Sequence, residues 1–171
     1  MKKRGGFTLI ELLIVIGLIA ILAGVVFVAL DPFTRFRDAR NARRNADVAS
    51  IASAIRVNQV DLGGLYTPTV EDLTANDTNA YLIGTEVGSG CAASAPLCVP
   101  GGVLVLQVTC LDLSALATSG YLGTVPKSPP SSITLTWADT RTGYYLVRKL
   151  NGAITVGACD AEGAAAIQVT R

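Results

Sequence analysis

The fold of this chain is decided by residues 7–30, which read FTLIELLIVIGLIAILAGVVFVAL. Within this stretch, residues 12–30 form a run of 19 residues without a charge. As an α-helix the run rises roughly 28 Å, close to the ~30 Å hydrocarbon core of a bilayer. The sequence therefore predicts a membrane-spanning helix near the N-terminus, which hydropathy alone would assign to a simple one-span anchor.

Composition excludes several classes of function. The chain has 171 residues, room for one domain of ordinary size, with 50% apolar residues and a net charge of +1. Because it contains no histidine, Ser-His-Asp and Cys-His catalysis and histidine-ligated metals are excluded. The small net charge argues against direct binding of nucleic acid through a basic surface. No nucleophile–base pair, phosphate loop or metal cluster is recognisable, so neither an enzyme nor a cofactor is expected.

A single acid, Glu11, interrupts the apolar stretch, where a carboxylate costs about 2.5–3.5 kcal/mol at mid-bilayer. A simple anchor has no need of it. The segment Gly6-Phe7-Thr8-Leu9-Ile10-Glu11 as a unit resembles the processing site of type IV prepilins. In that family a dedicated peptidase cuts after the glycine and methylates the new N-terminal phenylalanine. The resemblance implies cleavage between Gly6 and Phe7, N-methylation of Phe7, and an intramembrane role for Glu11.

Cleavage would create a cationic amine four residues from Glu11, about one helical turn away. In a fibre, the amine of an incoming subunit can meet Glu11 of its neighbour. This pairing neutralises two charges that are each expensive in an apolar environment, and it sets the axial register. Phe7 and Glu11 are therefore expected to be assembly residues rather than catalytic ones.

The predicted fold class is α+β, with a long N-terminal helix packed on a C-terminal antiparallel β-sheet head. Pro32 is expected to kink the helix or loosen a turn, and a narrow, mostly alanine stripe makes the following part amphipathic. Gly17, Ala20 and Gly24 share one helix face. The predicted parts are a cleaved leader at 1–6, a helix at 7–60 (apolar 7–30, amphipathic 31–60) and a head at 61–171, with a connecting loop at 61–102 and the sheet and C-terminal loop at 103–171.

The head is expected to contain short strands separated by turns. Asn151-Gly152 is the strongest hairpin signal in the chain and joins two of them. One short turn of helix is expected near residues 70–73, and a short helix capped by Asp112 near 112–118. The strand candidates are residues 103–109, 133–138, 144–150, 154–158 and 165–170.

The four cysteines permit three pairings, and none lies in a close C-x-x-C motif. Cys91 and Cys98 enclose six residues of a loop, whereas Cys110 and Cys159 each follow a strand candidate. The expected bonds are Cys91–Cys98 and Cys110–Cys159, formed outside the cytoplasm.

Other polar motifs are weaker. Asn76-Asp77-Thr78 matches a glycosylation acceptor, but such triplets are common by chance. The acidic cluster at 72–79 lacks the spacing of a known calcium loop and is predicted to be a solvated turn. Gly120-Tyr121-Leu122, the stretch VPKSP at 125–129 and Tyr144-Tyr145 look like the head-domain pattern of pilins and pseudopilins. Many such sequences have Asp where Ser128 stands, so the resemblance does not imply the calcium loop of major pseudopilins here. Glu86 and Asp139 are expected to be surface acids.

The resemblance implies a structural subunit of a type IV pilus, serving adhesion, motility or DNA uptake. It would be a single-pass precursor in the inner membrane and then part of an extracellular fibre. Its partners would be further copies of itself, the prepilin peptidase and the assembly machinery. The alternatives are a major pseudopilin of a secretion or competence system, or a minor tip subunit that binds a ligand. Because residues 31–60 carry six Arg and three Asp while residues 61–171 sum to −4, the acidic head of one subunit is expected to meet the basic neck of another.

Overall fold

The structure is a computed structural model that describes residues 6–88, 90–91, 98, 104–131, 137–163 and 166–171. The chain divides into two units, Met1–Arg37 and Asp38–Arg171. The helix of the first unit has an exposed apolar surface, whereas the second unit contains buried hydrophobic cores.

The first unit consists of helix α1, Leu9–Leu30, and the beginning of helix α2, Pro32–Asp61. No residue of α1 is buried within the chain. The two helices are separated at Asp31, whose backbone is left-handed (φ 37°, ψ 72°). Aspartate is one of the few non-glycine residues that adopt this conformation, and the following Pro32 has no N–H to continue the helical bonding. The predicted break at Pro32 is therefore confirmed.

In the second unit, α2 buries one face of its C-terminal half. The stripe predicted from the sequence is only partly confirmed: Ala52 and Ile55 are buried and Ala49 is half-buried, but its earlier members are exposed, so the expected face was wrong there. The exposed members are Phe36, Ala39, Ala42 and Ala46. After α2 the chain turns at two glycines with positive φ, Gly63 and Gly64, and the amide of Gly64 donates to the carbonyl of Gln59 at 2.8 Å. The buried residues of α2 are Arg44, Val48, Ile51, Ala52, Ala54, Ile55 and Asn58.

The second unit also contains a five-stranded sheet with the strand order β2-β1-β3-β4-β5. Three of its four strand pairs are antiparallel, whereas β1 and β2 are parallel. Two short helices accompany it, α3 at Pro68–Glu71 and α4 at Ser114–Thr118. The strands are β1 Asn79–Leu82, β2 Val105–Leu106, β3 Tyr144–Arg148, β4 Ile154–Ala158 and β5 Gln168–Thr170.

The two faces of the sheet have separate cores, because side chains alternate along a strand. Tyr144 and Leu146 of β3 pack on the face that is covered by α2, together with Val48, Ile51 and Ile55. The intervening residues of β3 lie on the opposite face, where the described part of the chain places all four cysteines within or against a smaller cluster. The members of that cluster are Ala80, Leu82, Tyr145, Val147, Cys91 and Cys98, with Cys110 and Cys159 packed against it.

The α+β class is confirmed, and so is the hairpin at Asn151-Gly152, where Gly152 has φ 80°. The segment 61–102 was expected to be an irregular loop, and this was wrong in part because it contains β1. Three of the four residues of β1 are buried, so the strand shows no alternation of apolar and polar residues. The expectation of a purely antiparallel sheet was also wrong at β1 and β2. Most of the strand expected at 133–138 lies outside the described residues.

Candidate processing and assembly site

The bond between Gly6 and Phe7 lies just before α1, in a segment without regular structure. Both residues are exposed, and Phe7 retains 88% of its accessible surface. Apart from its chain neighbours, no described residue places an atom within 4 Å of a Cβ added at Gly6. The packing of the described residues therefore does not require glycine at position 6, and a requirement for it would come from whatever binds the segment.

Thr8 and Glu11 form a capping box at the start of α1. The Glu11 amide donates to Thr8 Oγ1 at 3.3 Å, and Glu11 Oε2 accepts from both the amide and the hydroxyl of Thr8 at 2.8 Å. The Glu11 carboxylate is thus hydrogen-bonded within its own subunit, and it lies close to the positive end of the helix dipole. Sequence analysis missed this role, although Thr-x-x-Glu before an apolar run is its recognised signal.

The surface of α1 can face lipid or other helices. The helical stretch Leu9–Asp61 contains an 18-residue window with a mean hydropathy of 3.2, which by length and composition can cross a membrane. Near Gly17 and Gly24, no atom of the described residues outside the local helix backbone and the adjacent residues lies within 4 Å of the position that a Cβ would take. These glycines leave shallow places on the helix where another backbone could approach closely.

A buried arginine, Arg44, is the main polar contact between α2 and the rest of the second unit. Its side chain is fully buried. Nε donates to Ser128 Oγ at 3.0 Å, and Nη2 donates to the carbonyl of Pro129 at 2.9 Å. Nη1 donates to Glu162 Oε1 at 3.1 Å, and Asp160 Oδ2 lies 3.8 Å from Nη2. The guanidinium is therefore paired and hydrogen-bonded on every nitrogen, as a buried charge requires.

The C-terminal loop is bound to α2 at several further points. Arg40 Nε donates to Glu162 Oε1 at 2.6 Å, and a second bond makes this ion pair bidentate. The side chain of Asn41 exchanges two bonds with the main chain of Glu162, at 2.7 and 3.1 Å. The loop residues Asp160 and Glu162, together with Arg40, Asn41 and Arg44 of α2, are called the α2 clamp below.

A second buried contact joins α2 to the sheet. The Tyr144 hydroxyl donates to Asp47 Oδ2 at 2.6 Å. Burial and this bond to a carboxylate raise the pKa of Tyr144 far above its usual range, so it remains a neutral donor.

The α2 clamp changes the expectation that the basic neck of one subunit meets the acidic head of another. Arg40 and Arg44 are already paired with Glu162 of the same chain. For these two arginines the expectation was wrong, because a contact within the chain avoids the entropic cost of association. The intermolecular contact stays a prediction for the exposed Arg35 and Arg43.

Glu162 makes the α2 clamp sensitive to acid. The hydrogen bond from Arg40, supported by Arg44, lowers the pKa of Glu162 below its usual 4.5. A carboxyl with a lowered pKa in the folded state stabilises the fold above the unfolded pKa, and the contribution is lost as the pH falls through the folded pKa. We therefore expect the stability of the head to fall below about pH 4.5.

The Glu162→Gln variant should be less stable at neutral pH and should lose less stability on acidification. The measurement is denaturant unfolding of the detergent-solubilised chain, followed by the fluorescence of Trp137. Asp139→Asn is the matched control, because the Asp139 side chain is 79% exposed. An acid response of Glu162→Gln identical to that of the wild type would contradict the prediction.

The disulfide pairing predicted from the sequence was wrong. The structure joins Cys91 to Cys110 and Cys98 to Cys159. The pairing follows the strand contacts and not the proximity of the cysteines in sequence. Leu111 bridges to Ile83 at the end of β1, which brings Cys110 beside the segment that carries Cys91. The second bond joins residues 61 positions apart and lies directly before the loop of the α2 clamp.

Peptide mapping without reduction should recover the Cys91–Cys110 and Cys98–Cys159 links. Closing the longer loop contributes about 4 kcal/mol in the chain-entropy model, so the Cys98→Ser, Cys159→Ser double variant should unfold at much lower denaturant concentration. The control is the same map after reduction and alkylation. Recovery of a Cys91–Cys98 peptide would contradict this pairing.

The other residues considered in the sequence, Ser128, Glu86 and Asp139, make hydrogen bonds or ion pairs within the chain. Ser128 is buried, accepts from Arg44, and donates its amide to the carbonyl of Thr142 at 2.9 Å. Glu86 faces Arg141 at 3.7 Å, and Asp139 faces Lys127 at 3.1 Å. Within the described ranges, no three His, Cys, Asp or Glu side chains are grouped so that they could hold a metal.

Comparison with known families supports the N-terminal part of this description. The family model for the prokaryotic N-terminal methylation motif matches residues 1–27. The chain thus carries the leader signature of type IV prepilins, which supports a protein of the pilin or pseudopilin kind. No curated protein and no solved structure matches the chain.

Proposed function

We propose that this protein is the main structural subunit of a type IV pilus. The observation that carries the proposal is the methylation motif at residues 1–27, followed by a helix whose apolar surface is entirely exposed. A helix of this kind needs lipid before assembly and other helices after it. In this proposal a peptidase removes residues 1–6, Phe7 is methylated, and α1 leaves the inner membrane to form the core of an extracellular fibre.

The structure of the second unit supports a role outside the cytoplasm. Two disulfides pin the loops that flank the sheet. Bonds of this kind persist in oxidising compartments. The α2 clamp, with the buried Arg44 at its centre, connects the C-terminal loop to α2. A head held at both points would keep its shape when it is exposed on a cell surface.

The proposal favours a pilin over a major pseudopilin because of the residue at position 128. Many sequences that resemble the second half have Asp at this position, and the related loop of major pseudopilins binds calcium. Here Ser128 is buried and accepts a bond from Arg44. Ser128 and Pro129 therefore help to attach α2 to the head through Arg44.

The test is electron microscopy of surface material sheared from the cells that make the protein, with mass spectrometry of its main band. The proposal expects abundant filaments whose main band is this chain without residues 1–6 and with one methyl group on Phe7. Periplasmic or membrane-bound protein that is processed in the same way but absent from surface filaments would favour the pseudopilin alternative. An uncut chain would overturn both.

A further inference from the structure

A tight turn at residues 74–79 connects α3 to β1 and is tied to the sheet at both ends. The amide of Asn76 donates to the carbonyl of Arg148 at 2.9 Å. The carbonyl of Thr78 accepts from the amide of Val105, on strand β2, at 2.7 Å. The turn is therefore fixed on the outer end of the sheet, with Asp77 exposed at its tip.

Within this turn, the side chains of Asn76 and Thr78 are hydrogen-bonded to each other. Asn76 Oδ1 accepts from the Thr78 amide at 3.0 Å and from the Thr78 hydroxyl at 2.9 Å. Both bonds use the oxygen of the Asn76 amide group. Among the described residues, Nδ2 of Asn76 donates no hydrogen bond, so the nitrogen is not held by the fold.

Asn76-Asp77-Thr78 is an Asn-x-Thr triplet without proline, the acceptor pattern for N-linked glycans. None of the other five asparagines in the chain begins such a triplet. The pattern alone is common by chance. Here it coincides with a surface turn in which the hydroxyl is hydrogen-bonded to the asparagine side chain and the amide nitrogen is left unengaged.

We infer that Asn76 is an N-glycosylation site. The donor is an oligosaccharide joined through pyrophosphate to a membrane lipid, on the side of the membrane where the head lies. Nδ2 of Asn76 attacks the anomeric carbon, and the carbon–oxygen bond to the pyrophosphate breaks. The lipid pyrophosphate leaves with the electron pair of that bond, and one N–H proton passes to a base of the transferase.

At Asn76, a glycan would lie beside the edge strand of the sheet and could shield it. Strand β2 is at the edge of the sheet, and its neighbour β1 begins at Asn79, which pairs with Val105. Val105 and Val108 are 58% and 55% exposed. An exposed edge strand with apolar side chains is a site of unwanted pairing between chains. A glycan on Asn76 covers this edge.

This inference rests on the export of the head in the proposed function, and one experiment reads both. Cleavage with Glu-C after Glu71 and Glu86 releases residues 72–86, and electron-transfer fragmentation then locates any added mass. In protein from surface material, we expect a carbohydrate mass on Asn76. The state of the leader is read from the intact mass of the same sample.

Three variants test the assignment. Thr78→Val should abolish the added mass, Thr78→Ser should retain it, and Asn79→Gln should leave it unchanged as the matched control. A leader-free chain with an unmodified 72–86 peptide would overturn the glycosylation site alone. An uncut, unmodified chain would overturn the proposed function as well. A carbohydrate on Thr78 rather than Asn76 would also overturn the assignment.

Discussion

Replacing Glu11 with alanine is expected to abolish surface fibres while leaving membrane insertion intact. The substitution makes the apolar helix more apolar, so the cost of placing an acid in the span is removed. In the proposed fibre, however, the amine of each incoming subunit loses its partner, and a charge left unpaired in an apolar environment is strongly unfavourable. Processed protein should accumulate in the membrane, with fibre yield reduced by at least about tenfold, which corresponds to only ~1.4 kcal/mol per subunit.

The capping box at the start of α1 supplies the controls for this experiment. Glutamine can take the place of glutamate in a capping box, so Glu11→Gln keeps the cap and removes the charge. Thr8→Val removes the cap hydroxyl and keeps the charge. If charge pairing sets the register, Glu11→Gln fails like Glu11→Ala and Thr8→Val assembles. Normal fibre from Glu11→Gln together with loss in Thr8→Val would assign Glu11 to helix capping instead. Failure to cleave the leader would indicate a defect at the peptidase.

Replacing Arg44 with alanine is expected to cause the largest loss of stability of any single substitution in the α2 clamp. Removing one partner of a buried ion pair costs about 3–5 kcal/mol, because the other partner stays buried without compensation. Here the change leaves Asp160 and Ser128 without the guanidinium, and Glu162 keeps only Arg40. Since the stability of a domain is typically about 5–15 kcal/mol, much of the head should unfold under mild conditions.

Arg43→Ala is the matched control for Arg44→Ala. The side chain of Arg43 is 68% exposed, and its nearest acid, Asp47, lies 3.9 Å away and keeps its bond from Tyr144. An exposed pair of this kind contributes about 0–1 kcal/mol. Fluorescence of Trp137, the only tryptophan, follows unfolding; its indole Nε1 lies 3.5 Å from Asp160 Oδ2. Equal losses in the two variants would contradict the assigned role of Arg44.

The parts of this molecule that depend on neighbouring residues could be predicted from the sequence. The segment from Gly6 to Glu11 is a contiguous motif, and the apolar run after it can only form a helix in lipid or in an assembly. Asn151-Gly152 predicts the hairpin between β3 and β4 without reference to the rest of the chain, although the pairing of Arg148 with Ile154 makes its loop one residue longer than a two-residue Asn-Gly turn. In each case the physical cause lies within a few residues.

The parts that depend on distant residues could not be predicted. Arg44 resembles the exposed arginines beside it, and its burial follows from partners 84 to 118 positions away. The cysteine pairing depends on the parallel pair β1–β2, which was missed because β1 is short and buried on both faces. The short loop between Cys91 and Cys98 favoured a bond between them, but in the folded chain Cys91 lies beside Cys110 and Cys98 lies beside Cys159.

The left-handed residue Asp31 gives the subunit a mechanical joint. Along a continuous helix, a pulling force is shared by successive main-chain hydrogen bonds. At this joint Pro32 has no N–H to give, and the Asp31 backbone lies outside the helical region. Across it, the amide of Arg35 still donates to the carbonyl of Asp31 at 3.3 Å, and Thr34 Oγ1 donates to the Asp31 carboxylate. In the proposed fibre, we therefore expect the helix of each subunit to yield to a pulling force at Asp31 before it yields elsewhere along its length.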